Sequence, residues 1–511
     1  MNDDGRPALP GGDTGAPTSP VRTYLDGAHH PPERAVALPG NLPEAYKRYP
    51  SSLRAPLGDG EVGALLRWTN GLVRMRWLGG VPPAGAGQGT PVLTPGRPAP
   101  SSGARYPVEV YAAVPDTGSL PAGLYHYDPA HHAADRLRSG DGRSALLACL
   151  AEPPEGAPEY VLVLTTVFWR NAVKYGAFGY RLQNLDTGVV ARQALVAAAR
   201  FGHPGRLHLR FDDTELNRIL GLHAFEESAV AVVTLGHDSR TDSAGYHTAD
   251  WSGRVPLQLS EATAIDRVPH LTDMAALHAA SLWRSASEGR APADASPRRP
   301  AAAVGSPGEQ TSVPDAVPET GPGSPTVRRT VYGFKSAELD QARFDRLVRA
   351  AARSSSADTD SVLPAPTRTV YVVRRVEGTP PGGYVIDPDT GAPRRTRDGS
   401  AVEALVSVAK SPMLVDECRS APVTVVVAGD LDSGSGVFAD RWYRMQNVLA
   451  GTVAQSHCLA ANELGLHTHV HCDFDVAGMD AVLGLPPRWR ALVVITVGEA
   501  RGGRDDPQVR L

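Results

Sequence analysis

The segment YRLQNLDTGVVARQALVAAARFG, beginning at Tyr180, recurs without gaps as YRMQNVLAGTVAQSHCLAANELG from Tyr443, an offset of 263 residues. At that same offset Gly188 meets Gly451, Ala197-Ala198 meet Ala460-Ala461, and Gly202 meets Gly465. Phe211-Asp212 likewise meet Phe474-Asp475, and Gly221-Leu222 meet Gly484-Leu485. Upstream, GLYHYDP from Gly123 echoes GGYVIDP from Gly382, and VEVYAAV from Val108 echoes RTVYVVR from Arg368. Self-similarity at a fixed spacing constrains architecture more than any local propensity. The chain therefore reads as two diverged copies of one domain, a dimer fused into a single polypeptide. Its 511 residues agree, because one core stops growing well below that length.

Each copy reads as α+β. The runs YPVEVYAAV, YVLVLTTV and AVAVVTL in the first, and TVYVVRRV, PVTVVVAGD and ALVVITVG in the second, are rich in β-branched residues and flanked by turn signals. The repeated TGVVARQALVAAARFG predicts a small-residue helix ended by glycine. Leu271, Met274, Leu277, His278 and Leu282 fall at helical spacing and predict a helix that closes the first copy. Residues 1–35, poor in apolar side chains, are expected to form a disordered tail. The Pro-, Ala- and Ser-rich stretch 285–326 is expected to be an extended linker between domains at 36–284 and 327–511.

Composition excludes several classes. A net charge of −4 argues against nucleic acid as a partner, since phosphate binding draws on a basic surplus. No run approaches the ~18 consecutive apolar residues of a membrane span, and the N-terminus carries no signal-peptide pattern. A cytoplasmic protein without membrane association is expected. Cys149, Cys418, Cys458 and Cys472 are scattered and form no CxxC pair, which points to buried free thiols.

The candidate chemistry is confined to one copy. WRNAVKYGAFGYR places Lys174 beside Tyr175, whereas the second copy has Val437 and Phe438 opposite them. The tyrosine-arginine-x-glutamine-asparagine sequence that follows is kept in both, so it reads as scaffold and the Lys-Tyr pair as chemistry. Arg170 and Arg181, which flank the pair, are expected in structural ion pairs. Together with RPAPSSGARYPVEVYAAV, GLYHYDP and DTGVVARQALVAAARFG, these residues resemble the nitroreductase superfamily, in particular its azoline dehydrogenases of peptide natural-product biosynthesis. The resemblance spans most of 47–236 and, more weakly, 328–498. It implies two tandem nitroreductase-like α/β/α domains forming an intrachain pseudo-dimer, with FMN bound where they meet.

On that resemblance, Ser101, Ser102 and Gly103 of the first copy supply hydroxyls and close backbone approach to the flavin. Arg328, Arg329 and Thr330 of the second hold its phosphate, for which guanidinium and hydroxyl groups are suited. RRTVYGF departs from the superfamily pattern at Tyr332, where a further phosphate-binding arginine is usual. The reciprocal pieces, YPSSLRAPL and ARSSSADTDS, are degraded, so one FMN site per chain is expected. Lys174 and Tyr175 are then the proton-handling groups for oxidising thiazolines or oxazolines to thiazoles or oxazoles, by a desolvated amine or a tyrosinate. The implied substrate is a ribosomally made precursor peptide of the thiopeptide kind, and the implied partner a cyclodehydratase complex. Two alternatives stand beside this reading. One is a reductase of dehydroamino acids or nitro compounds using NAD(P)H. The other is a degenerate flavin fold that scaffolds or binds a leader peptide.

LGLHTHVHCDFD sets His467, His469 and His471 at period two, on one face of a strand with Cys472 opposite. No acidic or cysteine partner lies at a suggestive spacing, so no metal site is expected. SGSG from Ser433 and GAGQG from Gly85 read as loops.

Overall fold

The computed structural model describes residues 19–30, 43–50, 52–80, 89–238, 249, 251, 255, 263–289, 324, 326–352, 359–360, 367–386, 392–501 and 508–510. Most of the linker stretch and most of GAGQG lie outside these residues. Two antiparallel sheets carry the fold. The first runs in the order Leu53–Pro56, Ala133–Ser139, Gly123–Asp128, Val108–Val114, Tyr160–Val167, Glu227–Leu235, Gly205–His208. The second runs Pro393–Arg397, Gly382–Ile386, Thr367–Val373, Val423–Asp430, Trp489–Gly498, His467–His471. Among the described residues it repeats the first strand for strand, without the Leu53–Pro56 edge.

The strand interiors read as continuous apolar runs because both faces of each sheet are covered. In the second sheet, Tyr371, Val425, Val427 and Ile495 pack inward with the helix Arg441–Glu463, while Val370, Val372, Val426 and Val494 pack outward with Leu405, Leu414 and Met479. Local punctuation repeats as well. Asp212 opens the helix Asp213–Leu220, with its side chain accepting from Glu215 N, and Gly221 ends it in the left-handed region at φ 70°. Asp475 and Gly484, the latter at φ 64°, stand at the same two ends of the helix Val476–Leu483, although the Asp475 side chain makes no capping hydrogen bond.

The long helices Gly179–Ala199 and Arg441–Glu463 join the halves, and small residues set how closely they approach. A Cβ on Gly188 would overlap the Val448 carbonyl oxygen and come within 3.0 Å of Gly451 Cα; one on Gly451 would overlap the Leu185 carbonyl oxygen. The repeated arginine reaches across this seam. Arg181 donates to the carbonyls of His29, Ala491 and Leu492, and Arg444 Nη2 lies 2.7 Å from Asp213 Oδ1. Arg181 is thus held by backbone oxygens rather than by the expected ion pair, while Arg170 does form one, 2.6 Å from Glu109 Oε1. The amides of the motif are scaffold in both copies. Gln183 and Gln446 donate to the carbonyls of Phe168 and Asp430, and Asn184 and Asn447 donate one turn back along their helices.

Part of the tail expected to be disordered is ordered. Pro20–Gly27 is a helix capped by Ser19, and buried Tyr24 donates to the Ala177 carbonyl at 2.8 Å while His29 Nδ1 lies 2.7 Å from Tyr443 Oη. A few well-spaced aromatic anchors suffice here, against an average composition that favours disorder. SGSG is likewise not all loop, since its last two residues begin the short helix Ser435–Phe438. Gln508–Arg510 pairs antiparallel with Arg74–Arg76 of a first-domain hairpin, so the end of the chain is stitched to the opposite domain.

Candidate functional site

The turn from Ser101 to Tyr106 is the most contorted backbone among the described residues. Gly103, Ala104 and Tyr106 all have positive φ, at 59°, 54° and 47°. Such conformations each cost about 1–3 kcal/mol outside glycine and persist only where the surroundings over-determine them. Here Asp186 does so. Its carboxylate accepts from Ser101 Oγ at 2.8 Å, Ser102 Oγ at 2.9 Å and Ser102 N at 3.0 Å, and Ser101 Oγ in turn accepts from Tyr106 N at 2.9 Å. Burial pushes Asp186 up to about 7, against the lowering effect of those three donors.

Lys174 and Tyr175 end the helix Phe168–Tyr175, whose buried face carries Phe168, Trp169, Ala172 and Val173. That packing leaves the last two residues free to face the turn. A Cβ at Gly103 would overlap Tyr175 Oη and lie 2.7 Å from Lys174 Nζ, so the turn touches both groups only because it has no side chain there. The Lys174 side chain is solvent-accessible, yet desolvation of its amine, joined by the Arg105 charge, lowers its pKa below the usual lysine value. Tyr175 moves the opposite way, raised by burial and then by Asp186 and Cys472. Burial thus works against a tyrosinate at this position. The influence of Cys472 and Asp473 on it shows second-domain residues approaching the site.

Basic groups gather on the other side of the turn. Arg328 is buried, donates from Nε to the Pro98 carbonyl at 2.8 Å, and has no partner for Nη1. Burial lowers its pKa. Arg97 is buried with Nε and Nη1 unpartnered, its guanidinium 4.6 Å from the Tyr106 ring centre. Arg74 donates to the Arg97 carbonyl at 3.1 Å and is pushed to about 10, first by burial and then by the Arg328 charge, with Arg76 and Arg329 adding to it. Buried cations with open N–H groups are costly unless an anion completes them. Thr330 joins the second sheet through a parallel bridge to Thr468, and Tyr332 is 55% exposed with Arg76 over its ring.

The expected residues thus fall into two groups on either side of one turn, Ser101, Ser102 and Gly103 with Lys174 and Tyr175, and Arg328 near Pro98. Arg329 and Thr330 follow Arg328 in the chain but are not seen against the serines. Sequence reasoning missed Asp186, Arg74 and Arg97. Asp186 carried a usable signal, because the second copy has Leu449 at the matching position, and a carboxylate opposite leucine in a paired helix calls for an explanation. Arg74 begins and Arg97 directly follows a hairpin, Arg74–Gly80 with Gly89–Gly96, that has no counterpart in the second domain among the described residues, so the repeat does not reveal them.

The reciprocal position is closed. Phe438 is 1% exposed and lies among Trp442, Trp283 and the core of the first domain. Arg441 seals it further, donating to the Leu209 and Ser281 carbonyls and pairing with Asp213. Backbone shape survives without the chemistry. Gly176 after Tyr175 has φ 57° and ψ −145°, and Ala439 after Phe438 has φ 48° and ψ −138°.

These features agree with the family that the sequence matches. Residues 60–237 and 326–499 each match the nitroreductase family model, and the chain belongs to that family. The fold is that of a nitroreductase-type protein from Anabaena variabilis, with a TM-score of 0.73 and 21% identity over 94% of this chain and 100% of that one. Among curated proteins, the Microcin B17-processing protein McbC of Escherichia coli is 29% identical over 132 residues, 25% of this chain and 48% of McbC. The Trifolitoxin-processing protein TfxB of Rhizobium leguminosarum bv. trifolii is 29% identical over 153 residues, 28% of this chain and 40% of TfxB. The chain is thus distantly homologous to both, and spans less than half the length of either. Among the described residues no helix is long and apolar enough to cross a membrane.

Proposed function

We propose that the chain is an FMN-dependent dehydrogenase that oxidises thiazolines or oxazolines to the aromatic azoles in a ribosomally made precursor peptide, with molecular oxygen as terminal oxidant. The observation that carries this reading is the contact of Gly103 with both Lys174 and Tyr175, beside buried arginines that lack an anion. Distant homology to two peptide-processing proteins supports the substrate class.

The residues present fit FMN. The unpartnered Nη1 of Arg328 and the unpartnered Nε and Nη1 of Arg97 suit a phosphate, with Arg74 adding a third guanidinium and Arg329 and Thr330 next in the chain. Arg74 offsets the arginine that Tyr332 replaces. Ser101, Ser102 and Gly103 line the approach to the ring. Bound there, FMN supplies a two-electron acceptor for the hydride leaving the azoline. Lys174, with its lowered pKa, is the base that removes the proton from the neighbouring ring carbon. Tyr175 keeps its proton and donates a hydrogen bond, orienting the amine or the substrate. The precursor peptide and a cyclodehydratase complex are the proposed partners.

The test is the purified protein's visible spectrum and the mass of an azoline-bearing peptide incubated with it in air. Bound FMN near one equivalent and loss of two hydrogens per ring, abolished in Lys174→Ala, is the expected result. Consumption of NAD(P)H with a reduced product would replace this reading with the reductase. A protein that stays colourless after addition of FMN would leave a scaffold.

A further inference from the structure

Glu417 lies on the helix Pro412–Ser420, in the outer layer of the second domain, and is fully buried. Its Oε1 lies 2.9 Å from His469 Nδ1 and its Oε2 lies 2.8 Å from His471 Nε2. The two imidazoles sit two residues apart on the strand His467–His471 and so project from the same face, with ring centres 3.9 Å apart. The ligand atoms of all three residues lie within 4.8 Å of one another. His467, on the same strand face, is not part of the group.

The carboxylate is already oriented. Thr496 Oγ1 donates to Oε2 at 2.8 Å and Gly333 N donates to Oε1 at 3.3 Å. A carboxylate oxygen offers two acceptor directions, so each oxygen keeps one directed at an imidazole nitrogen. Outer donors of this kind fix ligands in metal sites. Among the described residues Glu417 forms no ion pair with lysine or arginine. Two imidazoles and one carboxylate form a three-ligand set that leaves a position open, as zinc accepts.

We propose that Glu417, His469 and His471 bind one divalent transition ion, Zn²⁺ fitting the nitrogen and oxygen donors best. This departs from the sequence expectation of no metal, which rested on the missing acidic partner; that partner comes from a helix about 50 residues upstream of the histidines. Tetrahedral zinc places neighbouring ligand atoms about 3.4 Å apart, so the two histidine–carboxylate contacts, 2.9 and 2.8 Å, open by about half an ångström to admit it. His469 and His471 lie on the strand face opposite Thr468 and Val470, the side that packs toward the domain seam. Through the Gly333 amide the ion ties the outer helix and the edge strand to the segment that begins at Arg328. Tyr332 packs beside the group, its ring at 89° to that of His469 with centres 5.3 Å apart.

The test uses the full, tag-free chain, dialysed against Zn²⁺ and then against metal-free buffer, with metal measured by mass spectrometry. Near one equivalent of zinc is expected in the wild type. In His469→Ala and in Glu417→Gln, each checked for folding by circular dichroism, binding falls at least ten-fold. Replacement by Co²⁺ is expected to give visible absorption bands of a tetrahedral nitrogen and oxygen site. Wild-type protein that retains no zinc, or retains as much in folded His469→Ala, overturns the proposal and leaves a hydrogen-bonded network alone.

Discussion

Tyr175 and Phe438 hold the same position in the two halves: each is the last residue of a short helix, and each is followed by a residue with positive φ. One faces the turn at Gly103, and the other is packed among tryptophans. The backbone at this position therefore belongs to the duplicated scaffold, and the phenol to the site. Ala439 carries a conformation suited to glycine where no open site requires it. Ala439→Gly is expected to stabilise the protein by about 1 kcal/mol, the relieved strain exceeding the entropic cost of glycine. Urea denaturation of the two proteins measures this, and equal midpoints would show that Ala439 is unstrained.

Gly188 and Gly451 set the closest approach of the halves. Gly188→Ala drives a methyl group into the backbone of the opposite helix and is expected to cost about 1–3 kcal/mol or more, as overpacking does. Thermal unfolding should show this loss, and the same change at exposed Gly58, where a Cβ meets nothing within 4 Å, should not.

Lys174→Ala is expected to lower the azoline oxidation rate by about 10²-fold or more while leaving flavin content unchanged. Because the amine acts as a base, the wild-type rate should climb with pH as Lys174 loses its proton. The lowered pKa places that rise below the range of an ordinary lysine. A pH profile that is flat, or unchanged in the variant, would remove Lys174 from the reaction.

Asp186 makes stability depend on pH in the opposite sense to an ion-paired carboxylate. Its folded pKa of about 7 lies above the ordinary aspartate value, so the folded state binds its proton more tightly than the unfolded state does. Its contribution is fully present only below the unfolded value near 3.8, declines from there, and is lost as pH rises through 7. At pH 8 the difference amounts to as much as about 4 kcal/mol. The stability of Asp186→Asn relative to wild type should therefore improve between pH 4 and pH 8, measured by urea melts at each. Arg328→Ala is a companion test of the other side of the turn. It is expected to weaken FMN binding at least ten-fold by fluorescence titration, since one charge-assisted contact is worth about 1.5–3 kcal/mol.

The fold was legible because duplication doubled every signal. Asp212 with Asp475 and Gly221 with Gly484 mark the same helix twice, and the strand runs agree in both copies. The site was legible where the copies differ, at Lys174 and Tyr175. It was obscure where partners come from far away in sequence. Arg74 reaches the Thr326 carbonyl, two residues before Arg328, from a hairpin, and Glu417 meets His469 from a helix, and no periodicity encodes either meeting. The ordered helix Pro20–Gly27 was missed for a related reason, since its stability comes from what Tyr24 and His29 touch in the rest of the chain.

The closed pocket around Phe438 also bears on how such a chain can change. In an assembly of two identical subunits every substitution is made twice, so filling one pocket fills both and extinguishes activity. Once the halves are covalently joined, a tryptophan or an arginine can be placed on one side alone. The closed half is then free to accumulate roles that an open flavin pocket would forbid, and the working half inherits a partner that dilution cannot remove.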